Sequence, residues 1–207
     1  AVSWHYAGAF ASEETLWQRT VAENPASDLG HTSVARLRFS KGDYRTAQAA
    51  FQAAIAANDR NEEAQFGLAR CLEKLGDHAG AERNYERALE INPRHAQSLN
   101  GLALIVGGQG QIEKARSLLE RAIELEPEYV EAHNNLGAIF MERRDYDMGE
   151  DQFREALEID PGFLSAAPRC DTYSMPHVTA LVCCGLSFAL APALCPRDSG
   201  CDWRAVV

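Results

Sequence analysis

Apolar and polar positions along the chain follow a pattern that returns every 34 residues. Bulky side chains stand at Trp17, Phe51, Tyr85, Leu119 and Phe153. Four residues before the last four of these come the small residues Ala47, Ala81, Ala115 and Gly149; Glu13 takes that place in the first copy. Three residues after them come Thr20, Ala54, Ala88, Ala122 and Ala156, followed directly by Val21, Ile55, Leu89, Ile123 and Leu157. Spacings of three and four residues put such a set on one stripe of a helix. An earlier apolar set predicts a second short helix per copy: Val34-Ala35, Leu68-Ala69, Leu102-Ala103 and Leu136-Gly137.

The residues between the helices repeat as well. Gly8, Gly42, Gly76 and Gly110 recur at the same interval, and Arg144 takes the fifth place. Glycine enters the left-handed conformation that ends a helix at little steric cost. Turn residues Asp43, Asp77 and Asp145 follow. Pro25, Pro93, Pro127 and Pro161 stop the second helices, with Asp59 in the one missing slot. Each unit therefore reads as two helices. The small residue lets them approach closely, and the bulky one fills the space toward the neighbouring unit. The expected units are 28–61, 62–95, 96–129 and 130–163, after a partial unit at 1–27.

These residues resemble the tetratricopeptide repeat (TPR) family, whose W-x2-L-G-x2-Y, A-x3-F and P positions they occupy in register. The resemblance covers roughly residues 1–166, since Trp4, Gly8, Phe10, Trp17, Val21 and Pro25 also fall on family positions. It implies an all-α fold: a right-handed α-solenoid of antiparallel helix pairs (a TPR array). An irregular C-terminal tail would follow at 164–207. Two departures stand out. Arg38 occupies a place where an inward aromatic is usual, and Gly107-Gly108 lie inside a first helix. Helical glycine costs about 1 kcal/mol relative to alanine, so that helix is expected to be the softest.

Charge and cysteine change the picture at the C-terminal end. The formal net charge is −10. Residues 164–207 hold Asp171, Asp198 and Asp202 against Arg169, Arg197 and Arg204, so the whole excess belongs to the repeats. A broadly basic nucleic-acid surface is thereby excluded. Cys71 stands alone in the repeats, whereas Cys170, Cys183, Cys184, Cys195 and Cys201 crowd a tail rich in Gly and Pro. One cysteine in the body points weakly to a cytoplasmic location. Three readings of the tail stay open: a non-native or weakly ordered end, an anchor or buried interface, or a redox or metal appendix. Against membrane contact by 178–195 stand its short uncharged length and the interruptions at Gly185 and Pro192. Against metal use stands the lack of Cys-x-x-Cys spacing. An apolar tail could also cover the open end of the array.

No catalytic, cofactor or metal constellation emerges. His5, His31, His78, His95, His133 and His177 form no ligand spacing, and His78 is expected to pack where Tyr44 and Ile112 stand in other units. Gly107-Gly108-Gln109-Gly110 has no preceding strand and no following Lys-Ser/Thr, so it is no phosphate loop. No Gly-x-Ser-x-Gly elbow occurs. The acidic pairs Glu13-Glu14 and Glu62-Glu63 fit helix starts, where the macrodipole favours them.

The resemblance also implies a use. In this family first-helix residues line a concave groove that holds an extended peptide or a partner helix. By register the lining residues would be Thr32, Arg36 and Phe39; Phe66, Arg70 and Glu73; Asn100 and Leu104; and Asn134, Ala138 and Met141. Arg36 and Arg70 share one place in adjacent units and could fork onto a partner carboxylate. The competing reading pairs them with Glu63, Glu73 or Glu131. The family's carboxylate-gripping set is not matched, because Thr32, Arg36, Gly67, Gln97 and Gly101 stand at its positions. An asparagine ladder is not matched either, since only Asn135 fits it.

The expectation is thus a non-enzymatic scaffold for a protein or peptide partner. Two alternatives stay open. Ala1 opens the chain inside a unit, and 14–20 resemble the approach to repeat regions in membrane glycosyltransferase-like proteins, so the chain would be the arm of a larger enzyme. Copies could also associate through the uncapped end of the array, giving a homo-oligomer.

Overall fold

The computed structural model describes residues 13–163. The first helix of the partial unit, the five tail cysteines and the 178–195 run lie outside the described residues. Every regular element among the described residues is an α-helix. In chain order they are α1 (Glu13–Glu23), α2 (Asp28–Ser40), α3 (Tyr44–Ala57), α4 (Glu62–Lys74), α5 (His78–Ile91), α6 (Ala96–Gly108), α7 (Ile112–Leu125), α8 (Val130–Glu142) and α9 (Tyr146–Ile159). The sequence period carries through to the helix boundaries: α2, α4, α6 and α8 start 34 residues apart, as do α3, α5, α7 and α9.

The turns explain why the boundaries hold. After each first helix the chain enters the left-handed region, at Gly42 (φ 78°), Gly76 (φ 83°) and Gly110 (φ 81°). The next N–H then reaches back five residues to close the helix end. Asp43 donates to the Arg38 carbonyl at 3.0 Å, Asp77 to Leu72 at 2.9 Å, Gln111 to Val106 at 2.9 Å and Asp145 to Phe140 at 2.9 Å. These bonds satisfy carbonyls that the helix leaves open. The fourth copy does so without glycine: Arg144 holds φ 66°. A side chain there meets the steric penalty of the left-handed region, about 1–2 kcal/mol. The turn aspartates cap the second helices in two copies, Asp43 accepting from the Thr46 N–H and Asp77 from the Gly80 N–H. Asp145 makes no such side-chain bond.

The chain divides into two compact units, meeting at Pro127 and Glu128. Within the first, each helix from α1 to α7 packs on its neighbours in sequence, and α2 also touches α4. The seams between hairpins follow one rule. The Phe51 ring lies on Gly67, and the Tyr85 ring lies on Gly101; an added Cβ at either glycine would overlap the ring. Both rings are 2% exposed, and Ala47, Ala54, Ala81 and Ala88 beside them are fully buried. The bulky residue of one hairpin thus fills the space that the first helix of the next leaves by lacking a side chain. Burial of an aromatic on this scale is among the larger contributions in a small core.

Helix α6 runs unbroken through Gly107 and Gly108 and buries nine of its residues. A Cβ at Gly107 would make an ordinary 3.5 Å contact with Ala115, and one at Gly108 would meet open space, so packing requires neither glycine. His78 departs from the expected packing role: it stands exposed at the first position of α5. Cys71 is fully buried, and burial pushes its thiol up to about 11. It is a core side chain rather than an accessible nucleophile.

In the second unit α8 packs on α9. Gly137 faces the Phe153 ring, and Gly149 faces the Met141 side chain and the Gly137 carbonyl. His133 is 6% exposed and shares a 2.9 Å hydrogen bond between its Nδ1 and the Gln152 Oε1.

Candidate functional site: a cleft on helices α1, α2 and α4

Helix α1 is held on the end of α2 by one carboxylate. Glu14 accepts from Arg38 at 2.8 Å and from Lys41. The hydrogen bond from Lys41, with the charges of Lys41 and Arg38, lowers the Glu14 carboxyl below its ordinary range against a smaller opposing effect of burial. Arg38 therefore replaces the usual aromatic with an ion pair. Apolar packing of the first helix gives way there to a charged contact with the preceding helix.

Between these helices lies an open cleft of about 530 Å³. Its floor includes Phe51 and Gly67, the seam residues described above. Trp17 and Glu13 of α1 line it on one side; Ser33, Arg36, Leu37, Phe39 and Ser40 come from α2; Glu63, Phe66 and Arg70 come from α4. Four groove residues expected from the sequence thus meet in one place: Arg36, Phe39, Phe66 and Arg70.

The two arginines have different surroundings. Arg36 lies 3.4 Å from Glu63, both being more than half exposed. This is the competing ion-pair reading, realised at one of the two positions. The Arg70 guanidinium instead lies over aromatic faces, 4.4 Å from the Phe39 centroid and 5.6 Å from that of Phe66. Phe66 is itself fixed edge-on against His95 at 4.8 Å, and Phe39 against Tyr44 at 5.2 Å. Glu73, the other acid expected near Arg70, accepts from the Tyr85 hydroxyl at 2.9 Å.

The remaining groove candidates are not in this cleft. Thr32 is a correction: it is 5% exposed, its hydroxyl donates to the Asp28 carbonyl at 2.8 Å, and it accepts from Asn61 at 3.2 Å. Those bonds tie α2 to the turn before α4 and leave no hydroxyl for a partner. The same turn draws on Asp28, whose carboxyl is held low by the Asn58 side-chain hydrogen bond, then by the Leu29 N–H and by Asn61. Glu73 and Leu104 border a smaller cavity of about 290 Å³ with His78. Leu104 is 48% exposed there, whereas Asn100 is buried. In the second unit Ala138 is half-buried, and the Asn134 Oδ1 is buried with no hydrogen-bond partner. Met141 is a second correction, being buried against Gly149 inside the α8–α9 hairpin. A glycine on the facing helix leaves a gap that a flexible thioether fills.

The sequence reading missed Trp17, Ser33 and Leu37 as cleft residues. A signal existed for Trp17. It occupies the register place of Phe51 and Tyr85, but the residue standing where they meet Gly67 and Gly101 is Ser33. At Ser33 the glycine seat is absent, and the cleft opens beside it.

The geometry defines a class: an all-helical hairpin-repeat protein with an open cleft on its first-helix face. Tetratricopeptide repeat models match residues 61–128 and 100–162, so that stretch is built of tetratricopeptide repeats. No curated protein matches it. Among solved structures it is similar to MamA (residue 41 to the end) from Desulfovibrio magneticus RS-1, with 20% identity over 78% of this chain and 93% of that one, at a TM-score of 0.63. It is also similar to YrrB, described as a TPR protein with an unusual peptide-binding site, with 18% identity, coverage of 72% and 77%, and a TM-score of 0.59. A third is the first TPR of Spaghetti (RPAP3) bound to the HSP90 peptide SRMEEVD, with 23% identity, coverage of 56% and 93%, and a TM-score of 0.54. At these identities the likeness is one of fold. Among the described residues no helix is long and apolar enough to cross a membrane, and no group of His, Cys, Asp and Glu could hold a metal ion.

Proposed function

We propose that the chain is a non-enzymatic scaffold that holds a segment of a partner protein in the cleft on α1, α2 and α4. The observation that carries this reading is the convergence of Arg36, Phe39, Phe66 and Arg70 on one open cleft of about 530 Å³. Aromatic and guanidinium groups are the side chains most often found at the energetic centre of protein interfaces. Two proteins of the same fold, YrrB and the first TPR of Spaghetti, are described with a peptide-binding site and a bound peptide. The cleft is open to solvent rather than enclosed, which suits a segment of a partner chain better than an engulfed small molecule. Titrating peptides from pulled-down partners against the protein and its Arg36→Ala/Arg70→Ala variant tests the reading. Loss of binding in the double variant is expected. Binding indifferent to both arginines would refute it.

A further inference from the structure

The cleft also specifies what chemistry its occupant carries. We infer that Arg70 receives one side-chain carboxylate of the partner segment, while an adjacent apolar side chain of that segment enters the depression between Trp17, Leu37 and Phe51. This inference rests on the proposed function and narrows it to a partner motif.

Three observations carry it. First, of the two arginines lining the cleft, one is already answered by an acid. Glu63 lies 3.4 Å from Arg36, and the other lining acid, Glu13, accepts from the Trp17 indole N–H at 3.3 Å. Among the described residues Arg70 makes no ion pair, although it is exposed at the cleft. Second, the Arg70 guanidinium lies over the Phe39 ring at 4.4 Å and over the Phe66 ring at 5.6 Å, within cation–aromatic reach of both. A stacked guanidinium keeps its N–H donors in the plane of its edge, where they can fork onto a carboxylate. Stacking also fixes the long side chain beforehand, so less rotamer freedom is lost when a ligand arrives. Third, the same cleft is lined by aromatic and aliphatic surface from Trp17, Leu37 and Phe51.

The same lining limits how much negative charge fits. Glu13 and Glu63 both face the cleft. A run of acidic residues would meet them as like charges, so the preferred segment carries a single carboxylate beside an apolar residue. This differs from the two-arginine fork expected from the sequence, because Arg36 is taken by Glu63.

The test is a library of random dodecapeptides displayed on phage and selected against the full chain. Its enriched sequences are then synthesised and titrated against Arg70→Gln, Arg70→Lys and Ser33→Trp variants whose helicity is checked by circular dichroism. The expected motif is one Asp or Glu next to Leu, Ile, Phe or Trp. Affinity should fall about tenfold or more in Arg70→Gln, and Arg70→Lys should retain part of it, since charge remains while fork and stacking are lost. Enriched peptides that lack an acid, or that bind Arg70→Gln equally well, would overturn the inference; if Ser33→Trp still abolished their binding, the cleft reading itself would stand. No enrichment over bare matrix, or binding untouched by Ser33→Trp, would overturn both.

Discussion

Helix α4 has two faces with opposite duties. On one, Ala64, Leu68, Ala69 and Cys71 are buried, and Gly67 at its border with the cleft floor lacks room even for a methyl group. On the other, Glu63, Phe66 and Arg70 open onto the cleft. The buried face recurs along the chain: Leu68 has its counterparts in Leu102 and Leu136, and Ala69 in Ala35 and Ala103. The open face does not. In the place of Phe66 stand Thr32, Asn100 and Asn134, and in the place of Arg70 stand Arg36, Leu104 and Ala138. Positions that hold their residue type from hairpin to hairpin carry the stack; positions that vary shape the surface.

Substitutions should separate the two faces. The largest effect is expected from Gly67→Val or Gly101→Val, which drive a branched side chain into a buried ring. Overpacking of this kind costs about 1–3 kcal/mol, read as a drop in the denaturant midpoint. On the open face Arg70→Gln should change stability by no more than about 1 kcal/mol, the scale of an exposed cation–aromatic contact, while impairing binding. Equal losses of stability from the two faces would dissolve the distinction.

A smaller effect of opposite sign is expected at the turn after α8. Arg144→Gly relieves a left-handed residue and should stabilise by about 0.5–1 kcal/mol, the steric relief being partly offset by the greater freedom of glycine in the unfolded chain. Gly76→Arg, at the corresponding turn after α4, should destabilise instead.

The sequence made this fold legible because its period lies in the residues that set helix ends and seams. Gly42, Gly76 and Gly110 mark left-handed turns, and Phe51 and Tyr85 mark ring-on-glycine contacts, all local or nearest-neighbour effects. The cleft was legible only in part. Register alone placed Arg36, Phe39, Phe66 and Arg70 on one wall, but it could not tell that Glu63 answers Arg36 while rings hold Arg70. Thr32 and Met141 share that register and turn out buried, because the surroundings of each copy differ: Asn61 binds one and Gly149 admits the other. The contribution of α1 was hidden for a similar reason, since Trp17 becomes a cleft wall only where Ser33 replaces a glycine.

The gentlest prediction concerns how α1 stays in place. The Glu14 carboxyl is lowered in the folded chain, so its contribution is present above the ordinary carboxylate range and is lost as pH falls through the folded value. Amide protection of 13–23, corrected for intrinsic exchange, should decline relative to α4 between neutral pH and about pH 3. Glu14→Gln should show that weaker protection already at neutral pH.

Hydrogen–deuterium exchange of the full chain with and without a selected peptide tests the central claim most directly. New protection confined to α1, α2 and α4, centred on Ser33, Phe66 and Arg70, is the predicted footprint. Protection instead on the outward sides of α5 and α7, around Arg87 and Arg116, with the cleft unchanged, would contradict the account.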